Sequence, residues 1–459
     1  MDDLTAFERQ IRRVLGDMAG PEPRFDAREI VRPTSVTSPR WAVQPMFSTT
    51  KLAAAAVILA LSGGFVLASE PPERWAAGGP SGAGDIAFVQ AAHDRAPVES
   101  TMRARVILAV PVDGDAPTPL LDVPGERWGF TGGLFPDDPR NDRLAGPAVR
   151  WSPGGERMAF RLFNDVPGIY LLDRDGGDLR RLVELPRDAG TGMPFAAGLD
   201  WSPDGKRIAY TYPYGGLSSP IYTVDVDSGQ VTRLGDTDPP SRPATFATRT
   251  VEWSPDGSRI AFARTEGTAG LPRSSELFVV NADGTGERQL TTGPEPYPQV
   301  RSVAWSPDGL SIAFVQDMGD AEQGAPERGV LRVVDADGSG LRTLTGPWRN
   351  HGCCYWVSTD EPLAWSPDGT SVAMVRVAGE DPDFHDAIVL VNADGSGERE
   401  LMAGSWFDWS PDGSRLVVSD AGGIGPSETY SIHVIDVDGT DRRWLADGEY
   451  PDWSPVAGG

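Results

Sequence analysis

Lysine is almost missing from this 459-residue chain: Lys51 and Lys206 are the only two. Arginine carries the rest of the positive charge, which on its own reads as genomic composition bias. Cysteine is equally scarce. Cys353 and Cys354 are the whole complement, and as neighbours they cannot staple distant segments, so a disulfide framework is excluded. Histidine occurs four times, at His93, His351, His385 and His433. There is no G-x-S-x-G elbow, no H-E-x-x-H pair and no P-loop, and no cofactor is expected. Basic charge is in deficit, 41 Lys+Arg against 66 Asp+Glu, a net −25. That balance repels phosphate backbones, so no nucleic-acid partner is expected. The length exceeds one ordinary compact domain and points to several domains or a repeat array.

One long apolar run exists. Residues 52–69, LAAAAVILALSGGFVLAS, carry no charge. As a helix they would reach roughly 27 Å, just enough for a bilayer core. Eight basic residues precede the run, from Arg9 to Lys51, while Glu70, Glu73 and a single Arg74 follow it. The positive-inside rule therefore predicts a cytoplasmic N-terminus and a large extracytoplasmic part. Residues 1–51 read as a cytoplasmic segment. Leu4, Phe7, Ile11, Val14, Leu15 and Met18 recur at helical spacing, Thr5 and Glu8 fit a capping box, and a Pro/Ser/Thr-rich linker follows. If translation starts at Met46 instead, Val66-Leu67-Ala68 resembles a signal-peptide cleavage site, and the product is secreted or periplasmic. Residues 70–83 read as a linker.

The remainder, 84–459, is governed by one repeat. Trp-Ser-Pro occurs at Trp151, Trp201, Trp253, Trp305, Trp365, Trp409 and Trp453, at spacings of 50, 52, 52, 60, 44 and 44. Five copies continue as Asp-Gly. Pro presets the first corner of a type I turn, and Gly supplies the left-handed residue that closes a hairpin. Each turn leads into an apolar strand such as RIAFAR (259–264). A second run ending in Asp/Asn-x-Asp follows, such as LFVVNAD (277–283), then a Gly-containing turn and a short last strand such as RTLT (342–345). Four strands per period make a β-propeller blade. Three strands before the first Trp-Ser-Pro (86–90, 106–112, 119–121) lack a first strand, and Glu449–Trp453 is a first strand with nothing after it. Together they predict a seventh blade. The fold expected is thus an all-β, seven-bladed propeller closed by a C-terminal strand, preceded by one transmembrane helix and a short N-terminal segment.

The run W-S-P-D-G-x-x-I-A-F, then I-Y-V-x-D-x-D-G, then R-x-L-T resembles the WD-repeat-like propeller of the TolB family, over residues 84–453. The resemblance does not reach residues 1–80. The layout also resembles bacterial membrane-anchored propellers with anti-sigma-type N-termini. The zinc-type anti-sigma pattern needs His and Cys ligands, and residues 1–51 contain neither. Prolyl-type peptidases carry a similar propeller, but this chain leaves no room for their hydrolase domain.

Connections between second and third strands, and between blades, are long and share one face. A binding site is expected there, near the central channel. The richest connection is 346–360, GPWRNHGCCYWVSTD. Trp348, His351, Tyr355 and Trp356, with His385 from the neighbouring connection, could form an aromatic ligand platform, or the aromatics could pack as a minicore. Cys353 and Cys354 could form a vicinal disulfide or remain free thiols. With His351 they make an incomplete metal set lacking a fourth ligand, so no metal is expected. The Asp/Asn-x-Asp-Gly turns suggest calcium through Asn281, Asp283 and Glu287, but turn chemistry explains them more simply.

Three functions follow as expectations. The first is a non-enzymatic, membrane-anchored binding or scaffold module for a protein, peptide or glycan at the cell envelope. The second is a propeller enzyme, such as a polysaccharide lyase using His93, His351 or His385. The third is a transmembrane sensor whose residues 1–51 engage a cytoplasmic partner.

Overall fold

A computed structural model describes residues 85–91, 105–112, 116–123, 149–162, 168–185, 198–211, 220–234, 247–266, 274–292, 299–318, 328–349, 362–379, 385–421 and 430–455. The expected cytoplasmic segment, span and linker (1–83) lie outside these residues. No described helix is long and apolar enough to cross a membrane.

The described residues form seven four-stranded antiparallel sheets. β1 (Asp85–Ala91), β2 (Arg105–Pro111) and β3 (Thr118–Val123) come first. The first complete blade is β4 (Arg150–Trp151), β5 (Arg157–Leu162), β6 (Gly168–Asp173) and β7 (Arg180–Glu184). The second is β8 (Leu199–Trp201), β9 (Arg207–Thr211), β10 (Ile221–Asp225) and β11 (Val231–Leu234). The third is β12 (Ala247–Trp253), β13 (Arg259–Glu266), β14 (Ser274–Asn281) and β15 (Arg288–Gln289). The fourth is β16 (Gln299–Trp305), β17 (Ser311–Met318), β18 (Arg328–Asp335) and β19 (Arg342–Arg349). The fifth is β20 (Leu363–Trp365), β21 (Ser371–Ala378), β22 (His385–Asn392) and β23 (Arg399–Ala403). The sixth is β24 (Trp406–Trp409), β25 (Arg415–Ala421), β26 (Tyr430–Asp436) and β27 (Arg443–Asp447). Finally β28 (Glu449–Trp453) pairs with β1, so the seventh sheet runs β28-β1-β2-β3. The ring closes as the sequence predicts.

The five Trp-Ser-Pro-Asp-Gly turns work the same way. The Ser202 N–H bonds Arg207 O at 2.8 Å and the Gly205 N–H bonds Ser202 O at 2.8 Å, with Gly205 at φ 67. The buried Ser202 hydroxyl donates to Asp204 Oδ1 at 2.6 Å and accepts from the Arg207 N–H at 2.8 Å. Serine thereby locks the turn from inside. The third-to-fourth turn of a blade rests on its first-to-second turn, as in Ala336 N–H to Leu310 O at 2.8 Å. Both turn types therefore share one face. The long connections named above fall mostly outside the described residues.

The core lies between blades. Each of the seven buried clusters draws on two neighbouring sheets; one joins Ala159, Ile169 and Leu171 to Trp201, Ile208 and Val224. Arginine is used here in ways lysine could not match. The Arg207 guanidinium lies 4.6 Å from the Trp253 ring of the next blade, and Arg259 lies 4.8 Å from Trp305. Arg288 donates to Ala336 O at 3.0 Å, again one blade on.

Candidate functional site: the inner-strand edges

First strands of successive blades lie side by side around the axis. Each is an edge strand with backbone groups facing inward. Since the Ser after each Trp turns its N–H to the second strand, the Trp N–H one residue back faces the axis. Such donors need partners.

The residue before each Trp supplies many of them. Asp200 accepts from the Trp253 N–H at 2.7 Å, and Glu252 from the Trp305 N–H at 3.0 Å. Asp408 accepts from the Trp453 N–H at 2.7 Å, and Asp452 from the Trp151 N–H at 2.6 Å. Each bond crosses from one blade to the next. At the other three positions stand Arg150, Ala304 and Ala364, which offer no carboxylate. There the Trp indole reaches back, Trp201 Nε1 donating to Arg150 O at 3.1 Å and Trp365 Nε1 to Ala304 O at 3.1 Å, as Trp305 Nε1 also does to Glu252 O at 3.3 Å.

These carboxyl groups are held against their usual ionisation. Burial pushes Asp200 up to about 6, with the Trp253 N–H and Arg150 pulling the other way. Burial and then the charge of Asp200 raise Glu252 well above the carboxylate range. Burial and then Asp452 push Asp408 up to about 7, and burial raises Asp452 despite Arg150.

One sector is aromatic. Trp406 and Tyr450 occupy equivalent places, three residues before Trp409 and Trp453. Their rings meet edge to face at 5.2 Å. Arg150 Cζ lies 5.2 Å from the Trp406 ring centre, and its Nη1 is 3.3 Å from Asp452 Oδ1. Trp406 is 6% exposed and its Nε1 has no hydrogen-bond partner among the described residues. Trp406 follows the connection Gly404-Ser405, and Tyr450 follows that at Gly448. A Cβ on Gly404 would lie 2.5 Å from Val418 Cγ1, so only glycine permits that tight crossing. The aromatic pair thus stands at the inner-strand ends opposite the Trp-Ser-Pro turns, beside two very short inter-blade connections.

The residues singled out from sequence do not converge among the described residues. Trp348 lies in β19, which runs through 346–349 where a loop is expected, and pairs with Gly329. It is 7% exposed in the core cluster between the fourth and fifth blades, with Leu331, Leu344 and Trp365. His385 opens β22, half-exposed, with Nε2 3.4 Å from Glu400 Oε1. His93, His351, Cys353, Cys354, Tyr355 and Trp356 lie outside the described residues. At the suggested calcium turn, Asp283 Oδ1 accepts from the Thr285 hydroxyl at 2.6 Å and Glu287 pairs with Arg264 at 2.7 Å. Turn and blade chemistry engage both carboxylates. Among the described residues no three His, Cys, Asp or Glu side chains group to hold a metal.

Sequence reasoning missed the inner carboxylates, Arg150, Trp406 and Tyr450. A signal was available: acids at the position before Trp-Ser-Pro in four of seven repeats, and aromatics two residues earlier in the last two.

Residues 142–346 match the family model described as PD40, TolB beta propeller domain. Among curated proteins, the "Uncharacterized peptidase YuxL" of Bacillus subtilis (strain 168) is 30% identical over 137 residues, 29% of this chain. The match spans only 18% of that relative's length. Two solved structures are similar in fold. A puromycin-hydrolyzing peptidase from Mycobacterium tuberculosis is 16% identical at a TM-score of 0.49, covering 79% of this chain and 53% of that one. An oligogalacturonate lyase from Vibrio parahaemolyticus is 15% identical at a TM-score of 0.47, covering 80% and 86%. Neither likeness speaks to activity in this chain.

Proposed function

Taking as premise that the chain carries a TolB-type β-propeller, we propose that it is a non-enzymatic binding or scaffold module. Its ligand is a protein, peptide or glycan, held at the end of the ring opposite the Trp-Ser-Pro turns. Residues 52–69 anchor it in a membrane at the cell envelope, with the propeller extracytoplasmic. The observation that carries the reading is the Arg150–Trp406–Tyr450 group. The part-exposed Arg150 and Tyr450, backed by the buried Trp406 ring, offer a planar cation and an aromatic ring with a hydroxyl, the chemistry by which peptides and sugars are held. The inner carboxylates, by contrast, are engaged as acceptors between blades.

The test is capture of peptide and glycan arrays by the full chain, with Trp406→Phe and Tyr450→Ala compared against it. Loss of capture at unchanged melting temperature supports the reading; undiminished capture by both variants contradicts it. The name of the B. subtilis relative keeps an enzyme as the second reading. Turnover of an array member, lost in His351→Ala or His385→Ala, would establish that reading instead.

A further inference from the structure

We propose that the seam of the ring is a proton-responsive clasp: Asp408 and Asp452, which hold the closing strand β28 from its two sides, share one proton, and losing it loosens that strand. β28 is a five-residue strand whose pairing with β1 is broken by a bulge. It meets β1 at three register positions, Ile86 with Trp453, Ala87 with Asp452 and Val89 with Glu449. Tyr450, in its middle, sits at φ 54, a left-handed backbone that an L-residue adopts at a cost. The lateral bonds therefore matter. On one side Asp408 Oδ2 accepts from the Trp453 N–H at 2.7 Å; on the other, Asp452 Oδ2 accepts from the Trp151 N–H at 2.6 Å.

The Trp453 N–H is the peptide group that directly follows Asp452, so the Asp408 carboxyl sits against the Asp452 backbone and feels the Asp452 charge. Among the described residues one cation serves the two carboxyl groups. Arg150, from β4, lies 3.3 Å from Asp452 and rests on Trp406. The other groups that face the pair are the Trp409 N–H beside Asp408, and Asp200 from β8 beyond Arg150. Tyr450, from β28, reaches the Trp406 ring two residues before Asp408. None of these adds positive charge. Two carboxylates and one guanidinium leave a net negative charge in a half-buried place, and a proton removes it.

The direction of linkage is fixed. Asp408 has an ordinary value of 3.8 and is pushed up to about 7 by burial and by Asp452. Between those values the folded chain holds a proton that the unfolded chain lacks, so stability falls as pH rises toward and through 7.

The experiment compares the full chain with Asp408→Asn at pH 5 and pH 8. The amide keeps an acceptor for Trp453 and supplies an N–H where the carboxylic acid has its O–H. Equal melting temperatures at pH 5 are expected, with the variant about 2 °C higher at pH 8. Amide exchange in the unaltered protein gives a reading that needs no variant. Protection of the Trp453 N–H should fall between pH 5 and pH 8, relative to Ala313 in a blade with no inner carboxylate. Parallel pH profiles for wild type and Asp408→Asn, or constant relative protection at Trp453, would overturn the proposal.

Discussion

The Asp452 carboxylate, on the last strand of the chain, accepts a hydrogen bond at 2.6 Å from the backbone of Trp151, 301 residues earlier. It also pairs with Arg150 at 3.3 Å, and the Asp452 side chain is 11% exposed. Asp452→Ala should therefore strand an N–H and a guanidinium together. A loss of about 1–3 kcal/mol is expected in a urea titration. A loss below roughly 0.5 kcal/mol, the scale of an ordinary surface change, would mean that the contact is incidental.

A second relationship is repeated with its polarity inverted. Arg264 pairs with Glu287 at 2.7 Å and Arg376 with Glu398 at 3.0 Å, from the second strand to the start of the fourth. In the sixth blade Asp420 takes the arginine's place and Arg442 the glutamate's, at 2.9 Å. Asp420→Arg and Arg442→Glu should each destabilise, and the double variant should recover most of the loss. Arg442 is 44% exposed, so solvent screening keeps the coupling to roughly 0.5 kcal/mol. A double-mutant cycle with no coupling would refute the pairing.

Trp348 covers a glycine. A Cβ on Gly329 would lie 2.5 Å from Trp348 Cε2. Gly329→Ala should cost about 1–3 kcal/mol through overpacking and shift the near-ultraviolet dichroism of the tryptophans. Trp348 acting as a free ligand platform would instead tolerate the methyl group.

The turn aspartates set the acid limb of stability. Hydrogen bonds from Ser254 and Ser258 lower Asp256 to about 2, and those from Ser410 and Ser414 do the same for Asp412. Stability from these groups is present above their ordinary value of 3.8 and is lost as pH falls through about 2. The inner carboxyl groups have the opposite sign, so melting temperature should peak in mildly acid solution. Asp256→Asn with Asp412→Asn should flatten the acid limb and leave the alkaline limb unchanged. A melting temperature that rises steadily from pH 5 to pH 8 would contradict the account of the inner ring.

The blades were legible because their chemistry is local. Ser202, Asp204, Gly205 and Arg207 complete one turn within six residues, so the pattern lies open in the sequence. The closing strand was legible by arithmetic, as a first strand without a blade. The inner latches were not, because Asp200 and Trp253 are 53 residues apart and Asp452 and Trp151 are 301 apart. Their acids also disappeared into the overall excess of 66 Asp+Glu over 41 Lys+Arg. Trp348 misled for a related reason. Its loop-like neighbours Gly346 and Pro347 sit inside β19, where Gly346 at φ 120 lets the strand bend and continue.

The central claim is that one short C-terminal strand, gripped by β1 and by the two carboxylates, completes the ring. The most direct measurement is the melting temperature of the full chain against one lacking residues 450–459. The deletion removes Tyr450, Asp452 and the 5% exposed Trp453. Losing that tryptophan alone should cost about 3–5 kcal/mol. A fall of at least roughly 5 °C, with faster exchange of the β1 amides, is the expected result. Identical melting of the two chains would contradict it.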